Sequence, residues 1–267
     1  MQRAILAFVV ALCWALPLYA DGKVDRLAKA MRLTQVMEIL VHEGQGHRET
    51  LDNTFLDNKG GAFFESQVNR IYDPLWMRQH MTNAFKDGLS DVQLDQAILF
   101  FESDLGQTIV TLENSARRAM SDQAIEDMAR EAYKSAKRST AQFTLVKEYI
   151  EANDLIEKNV QGALTFDYSF FQGLDVDART DDQELLAELL LQKDSRAEET
   201  EEWLFSFLLM AYRPLDEAQM RENIAFSRTE TGQALNDAVF DGFDRIFNDI
   251  SYRLGQAVAQ ALRASDL

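Results

Sequence analysis

The sequence predicts an all-α protein in which two pseudo-symmetric multi-helix repeats pack into one helical, bundle-like array. First, apolar residues recur at steps of three and four along most of the chain, as on the buried face of an amphipathic helix. Second, the chain has 3 prolines and 12 glycines in 267 residues, and so few helix-breaking residues favour helices over turn-rich β-structure. Third, one segment of the sequence recurs after 126 residues, which indicates an internal duplication.

Residues 1–20 have the features of a secretory signal peptide. Arg3 supplies the positive start, residues 4–16 form an almost unbroken apolar run, and cleavage is expected after Ala20. The run is short for a membrane-spanning helix, which needs about 20 residues, although an uncleaved N-terminal anchor remains the alternative. We therefore expect export to the periplasm, with secretion as the alternative. No later segment is long enough to cross a bilayer, so the mature protein should be soluble.

Cysteine chemistry is excluded from the predicted mature chain. Cys13 is the single cysteine, and it lies inside the signal. Leu12 precedes it where a lipoprotein signal has a small residue, so lipidation is not expected. Without Cys13 the chain has no disulfide, no thiolate metal ligand and no cysteine nucleophile, which suits an oxidising compartment.

The chain is strongly acidic, with 27 basic and 44 acidic residues and a formal charge of −17. Loss of Arg3 with the signal makes that charge one unit more negative. Nucleic acid and anionic lipid surfaces would repel such a chain, so nucleic acid is excluded as a partner. The acidity is consistent with keeping a soluble protein dispersed.

In the first half, helical periodicity covers residues 24–40 and is expected to stop at Gly44 and Gly46, before a short helix over 47–56. A longer helical segment covers 62–86, where Pro74 either kinks the helix or begins a new one.

Capping signals place the helices that follow. Residues 90–93 form a capping box, Ser103 or Asp104 caps the next helix, and Ser121 or Asp122 opens another.

The second half is predicted to reuse this plan. Residues 144–158 are expected to form one helix, and a capped leucine-rich helix covers 184–192. A polar stretch over 193–202 leads into an apolar run that starts at Trp203. The last helix carries a regular apolar stripe from Leu235 to Ala261 and should extend for about 30 residues, or about 45 Å.

The internal repeat is clearest between residues 88–110 and 214–236. Both copies have a capped start and the pattern F-x-x-S/T-x-x-G-Q, carried by Phe100, Ser103, Gly106, Gln107 and by Phe226, Thr229, Gly232, Gln233. We predict a first repeat over 21–139 and a second over 140–267, sharing one core. The motif fits a sharp helix–helix corner, where glycine permits close backbone approach and the two phenylalanines fill the corners. The alternative is an anion-binding corner at a helix N-terminus.

At these residues the chain resembles a bacterial exported family catalogued as a domain of unknown function, number 2059. Its pattern is similar to both copies here, although Ser227 stands in the second copy where Phe101 stands in the first. The resemblance implies a helical, periplasmic protein. It brings no reaction and no catalytic residues to this chain.

Metal binding is not expected. His42 and His47 are five residues apart, whereas a metalloprotease helix places two histidines four apart on one face. His80 could join them only through the fold. Solvated or capping histidines are the alternative, and we predict neither a metal nor another cofactor.

Catalysis is not expected either. The chain lacks a nucleophile elbow, a P-loop and a dinucleotide-binding glycine pattern. Glu102, Glu113 and Arg117 could cluster, but Glu113 and Arg117 are four apart, the spacing of an ordinary ion pair on a helix surface.

Three functions stay open. The first is a non-catalytic binding or protein-interaction module with an envelope partner, motivated by the scaffold and the missing catalytic motifs. The second is a carrier of an apolar small molecule or lipid in a cavity between the repeats, motivated by the aromatic and methionine-rich stretches. The third is an enzyme of unrecognised type.

Overall fold

The computed structural model describes residues 16–175 and 181–265, and within these ranges the chain forms helices without any β-strand. This confirms the predicted all-α class. Residues 1–15, including Arg3 and Cys13, lie outside the described residues, and the predicted cleavage position after Ala20 falls within the first helix.

The helices are α1 Leu16–Ala30, α2 Leu33–Phe55, α3 Gly61–Ile71, α4 Pro74–Gly88, α5 Asp91–Phe101, α6 Asp104–Met120, α7 Gln123–Ser135, α8 Ala141–Ala152, α9 Leu155–Leu174, α10 Asp182–Leu191, α11 Lys193–Ala211, α12 Glu217–Ser227 and α13 Glu230–Ser265.

Local capping sets where several helices begin. Pro74 starts α4 rather than kinking a longer helix, and the Asp73 carboxylate accepts the backbone N–H of Leu75 at 2.8 Å. Ser90 and Asp216 each form a complete capping box, at the starts of α5 and α12. Asp122, the second of the two predicted alternatives, caps α7.

The predicted break at Gly44 and Gly46 is wrong, because α2 continues through both glycines to Phe55. The reason is tertiary packing. The ring of Tyr72 lies so close that a Cβ atom on Gly44 would be 2.7 Å from ring atom Cγ. Here the missing side chain makes room for an aromatic ring, and the gain from packing outweighs the low helix propensity of glycine.

The single helix predicted over 144–158 is also wrong. Helix α8 ends at Ala152 and α9 begins at Leu155, with Asp154 between them in the left-handed region at φ 50°. No glycine or proline marks this corner in the sequence. Conversely, the polar stretch 193–202 and the apolar run after it belong to one helix, α11. Helix α13 is longer than predicted, at 36 residues or about 54 Å.

The α5–α6 and α12–α13 corners make the same hydrogen bonds. The hydroxyl of Ser103 donates to Phe100 O at 2.7 Å and accepts the Gly106 N–H at 3.0 Å. The hydroxyl of Thr229 makes the corresponding bonds to Phe226 O and Gly232 N at the same distances. Each corner is therefore closed by its own cap.

A glutamine side chain fastens each corner to a neighbouring helix end. The Gln107 amide donates to Ala30 O at the end of α1, and the Gln233 amide donates to Ala152 O at the end of α8. Ala30 and Ala152 are each followed two residues later by a residue in the left-handed region. The α1–α2 and α8–α9 corners thus correspond in space as well.

Two of the apolar cores combine helices from both predicted repeats. One contains side chains of α1–α5 together with α9 and α13, and the other contains side chains of α8, α11 and α12 together with α6. A third, smaller core joins α9 to α10 within the second half. The helices that leave the two matched corners, α6 and α13, therefore each contribute to a core made mainly of helices from the other half. The division at residue 139 and a pseudo-twofold relation between whole halves stay predictions.

The corners generate a stability prediction. A Cβ atom at position 232 would lie 2.1 Å from the carbonyl oxygen of Phe226, which is backbone and cannot move aside. Gly232→Ala should lower the free energy of unfolding by roughly 1–3 kcal/mol, as overpacking does. Gly46→Ala is the matched control: a Cβ there meets nothing within 4 Å, so it should stabilise α2 by about 0.5–1 kcal/mol. Urea denaturation of both variants measures the difference, and equal effects would contradict the close approach.

A candidate ligand cavity between the two halves

A cavity of about 290 Å³ lies where the two halves of the chain meet. Its walls come from α2, α4, α5 and α6 of the first half and from α8, α11, α12 and α13 of the second. This volume is close to the lower end of the range for small-molecule sites, which is roughly 300–1,000 Å³.

Several residues that line this cavity occupy matched positions in the two copies of the sequence. Helices α6 and α13 both contribute to the lining, and the matched residues are related by the 126-residue separation of the repeat. These pairs are Ile109 with Leu235, Val110 with Asn236, Glu113 with Val239, Arg117 with Phe243, Phe101 with Ser227 and Met81 with Phe207. Both halves of the chain therefore supply lining residues at matched sequence positions, and the residue types at those positions differ.

Most of the lining is apolar. Met81 and Phe85 of α4 are fully buried, and Leu235 of α13 is nearly so. Leu33 and Ile109 extend this surface from α2 and α6. An apolar wall of this kind gains free energy when an apolar ligand replaces water.

The first polar feature of the lining is Glu113 on α6. Its carboxyl is half-buried and accepts a hydrogen bond from the hydroxyl of Tyr212, a side chain with no exposed surface. Burial raises the pKa of Glu113 above its ordinary value, and the hydrogen bond from Tyr212 opposes that rise. The two tyrosines beside it, Tyr149 and Tyr212, also have raised pKa values, first through burial and then through the nearby Glu113 charge.

The second polar feature is an ion pair between Arg117 and Glu43. The Arg117 guanidinium donates from Nε and Nη2 to the two Glu43 oxygens at 2.8 and 2.9 Å, which joins α6 to α2. The predicted pair between Glu113 and Arg117 is therefore wrong, because each finds a partner distant in sequence. Glu102 does not join this cluster, because its carboxylate forms an ion pair with the Arg26 guanidinium at 2.6 Å.

The third polar feature is Asn223 on α12. Its side chain is 4% exposed, it lines the cavity, and its amide nitrogen has no hydrogen-bond partner. Two neighbouring amides of the lining are paired: Asn153 donates to Ser227 Oγ at 3.2 Å, and Asn236 donates to Asn153 O at 2.9 Å. An unpaired buried donor costs about 1–3 kcal/mol, so Asn223 is the polar group here that a ligand could satisfy.

The predicted motif residues divide between the corners and the cavity. Phe226 and Gly232 line the cavity, whereas the remaining motif residues form the corners. Phe100 and Phe226 do more than fill separate corners, because their rings stack at 3.9 Å with an angle of 3° between planes. Since the Ser103 and Thr229 hydroxyls already accept the Gly106 and Gly232 N–H groups, the geometry favours helix packing over anion binding. The motif positions the cavity walls.

The histidines are engaged separately. His80 Nδ1 lies 2.9 Å from the carbonyl oxygen of Trp76, and the His47 ring packs edge-on against Phe166 with centroids 5.6 Å apart. Burial lowers the pKa of His47, which disfavours its charged form. Across residues 16–175 and 181–265, no group of three or more histidine, cysteine, aspartate or glutamate side chains is placed to hold a metal ion.

Asn223 belongs to no sequence motif, but comparison of the two copies of the repeat carries a signal for it. The buried face of α5 presents Leu94, Ala97 and Ile98, and the same positions of α12 present Met220, Asn223 and Ile224. A polar residue thus replaces alanine on a face that is otherwise apolar. Its environment could not be inferred, because α12 packs against α8 and α13, which are set by the fold.

Glu113 generates a pH prediction. Because its pKa is raised in the folded state, the native protein binds more protons than the unfolded chain between the ordinary and the raised pKa. The stabilisation from protonated Glu113 is therefore complete below the ordinary pKa and is lost as pH rises through the raised one. We expect the unfolding free energy of wild type, relative to that of Glu113→Gln, to fall as pH rises from 4 to 7. Urea denaturation of both proteins at several pH values measures this difference. Other carboxyls with raised pKa values, such as Asp167 and Asp244, are present in both proteins, so their contributions cancel. A difference that stays constant or increases with pH would contradict the prediction.

Among the described residues, no helix combines the length and apolar character needed to cross a membrane. No curated protein and no solved structure matches the chain significantly. Residues 77–134, which contain the first copy of the corner, match the model of the family described as an uncharacterized protein conserved in bacteria (DUF2059), the family that the sequence was predicted to resemble.

Proposed function

We propose that this chain is a non-catalytic binding protein that holds a small, mainly apolar molecule in the cavity between its two halves. The observation that carries the proposal is the cavity of about 290 Å³, which is lined by matched positions of α6 and α13. If side chains had filled the space between the two halves, a purely structural role for the repeat would have been favoured. Of the functions left open by the sequence, binding of an apolar ligand accounts best for this space.

The size of the cavity limits the ligand. An apolar cavity of about 150 Å³ in another protein holds benzene, so roughly twice that volume suits a molecule of on the order of ten to fifteen non-hydrogen atoms. A two-chain phospholipid is far larger. The proposed occupant is therefore a small apolar compound or a short single-chain lipid.

Support for a binding role without catalysis comes from the state of the polar groups. Arg117 is engaged by Glu43, and Glu113 is engaged by Tyr212. Two lining residues, Tyr149 and Ser227, carry hydroxyls: the raised pKa of Tyr149 keeps its hydroxyl protonated, and the Ser227 hydroxyl accepts a hydrogen bond from Asn153. These groups can orient a ligand, but none is set as an activated nucleophile beside a base.

We further propose that the protein works in the periplasm. This rests on the charge and hydropathy pattern of residues 1–20 and on the absence of cysteine after residue 20. Removal of the signal after Ala20 would leave the cavity-lining residues intact, since they begin at Met31.

Filling the cavity tests the binding proposal. Val239 of α13 lines the cavity, so the larger side chain of Val239→Trp should occupy the ligand's space. We expect butylbenzene to bind wild type and to bind this variant at least tenfold more weakly, as measured by isothermal titration calorimetry. Val92→Trp is the matched control, because Val92 is 63% exposed on α5 and should leave affinity unchanged. Failure of butylbenzene to bind wild type, or equal binding by Val239→Trp, would overturn the proposal.

Export can be tested separately with the full chain expressed in a bacterial host. We expect the periplasmic fraction to contain a protein whose mass corresponds to loss of residues 1–20. Val9→Arg, which places a charge in the apolar run, should remain in the cytoplasm at full mass. Leu75→Arg is the control outside the signal, at a side chain 77% exposed, and should be exported normally. Recovery of full-length wild type from the cytoplasm alone would contradict export.

A further inference from the structure

We propose that the ligand of this cavity carries a neutral hydroxyl group at one end, recognised by the Asn223 amide and the Glu113 carboxyl. This inference rests on the proposed binding function and adds the chemistry of the ligand's polar end. It follows from three properties of the lining: an unpaired donor, an acceptor with spare capacity, and an arginine whose charge is already paired with Glu43.

The unpaired donor is the Asn223 amide. Asn223 is nine-tenths or more buried, lines the cavity and leaves its amide nitrogen without a partner. Other buried donors without partners belong to Arg48, Gln142 and Arg196, and none of these residues lines the cavity. A ligand oxygen that accepts from Asn223 would remove a cost of about 1–3 kcal/mol.

The acceptor with spare capacity is the Glu113 carboxyl. Tyr212 donates to its Oε1 atom, whereas a carboxyl group with two oxygens can accept several hydrogen bonds. Both residues line the cavity, which therefore offers a ligand one donor and one acceptor. A hydroxyl group suits both, because it accepts with its oxygen and donates its proton.

Charged head groups fit this end less well. A carboxylate has no proton to donate to Glu113 and would be repelled by it, while the Arg117 charge is already taken by Glu43. An ammonium group could pair with Glu113, but it has no lone pair to accept from Asn223. A pure hydrocarbon leaves both groups unsatisfied.

Neither polar group is repeated at the matched position of the other half. The residue that matches Asn223 in the first half is Ala97, and the residue that matches Glu113 in the second half is Val239. Much of the remaining lining is apolar, as at Leu235 and Phe243. A ligand with one polar end and one apolar end would accordingly bind in a single orientation.

Four compounds with the same phenylbutyl body test the inference: butylbenzene, 4-phenylbutan-1-ol, 4-phenylbutanoate and 4-phenylbutylamine. We expect the alcohol to bind wild type most tightly in calorimetric titrations at pH 7. Asn223→Leu should weaken binding of the alcohol by about tenfold, the equivalent of one hydrogen bond, and leave butylbenzene within about twofold. Leucine has a similar volume, and loss of an unpaired donor should not unfold the protein. Asn223→Ala, which reproduces the residue at the matched position, is the second variant, and urea denaturation checks the fold of both.

The outcomes separate this inference from the binding proposal. If butylbenzene and the alcohol bind equally well, and Asn223→Leu changes neither, the cavity is an apolar site and the hydroxyl assignment is overturned, while the proposed function stands. The same result is expected if a water molecule accepts the hydrogen bond from the Asn223 amide. Tightest binding by the carboxylate or the amine would overturn the assignment in favour of a charged head. If none of the four binds wild type, the proposed function fails, and this inference fails with it.

Discussion

The close contact of backbone at the two glycine corners is the constraint on which the rest of the structure depends. Gly106 and Gly232 bring the first turn of a long helix against the carbonyl of the preceding one, where a Cβ atom would lie 2.2 or 2.1 Å away. A hydroxyl cap closes each corner, and the stacked rings of Phe100 and Phe226 hold the two corners together. The directions of α6 and α13 are thereby set at their first turns.

Those directions explain both the mixed cores and the cavity. Helices α6 and α13 each contribute to a core made mainly of helices from the other half of the chain. Both helices also supply lining residues to the cavity, several of them at matched sequence positions. Val110 faces that space from α6 and Asn236 faces it from α13. Helices from both halves of the chain therefore contribute to this cavity, and the residues at matched lining positions differ between the two copies of the sequence.

Features that depend on neighbouring residues were predictable from the sequence, and features that depend on distant partners were not. Helix content, the capping boxes and the caps of the two corners follow from short-range patterns, and the structure has them. The continuation of α2 through Gly44 depends on Tyr72, which is 28 residues further along the chain. The end of α8 depends on Asp154 in a conformation that no glycine signals. In the site, Glu113 and Arg117 were noticed, but their partners Tyr212 and Glu43 could be found only in the fold.

The two copies also show which polar groups the fold itself requires. Gln107 and Gln233 stand at matched positions and tie equivalent helix ends, so they belong to the shared scaffold. Asn223 and Glu113 are matched by Ala97 and Val239 in the other copy. The same helix positions therefore form there without a polar side chain. Both groups are unfavourable for folding, one as an unpaired buried donor and the other as a carboxyl whose pKa burial raises. Polar groups that the fold does not need, in the lining of a cavity to which both halves of the chain contribute, are accounted for most simply by a ligand that contacts them.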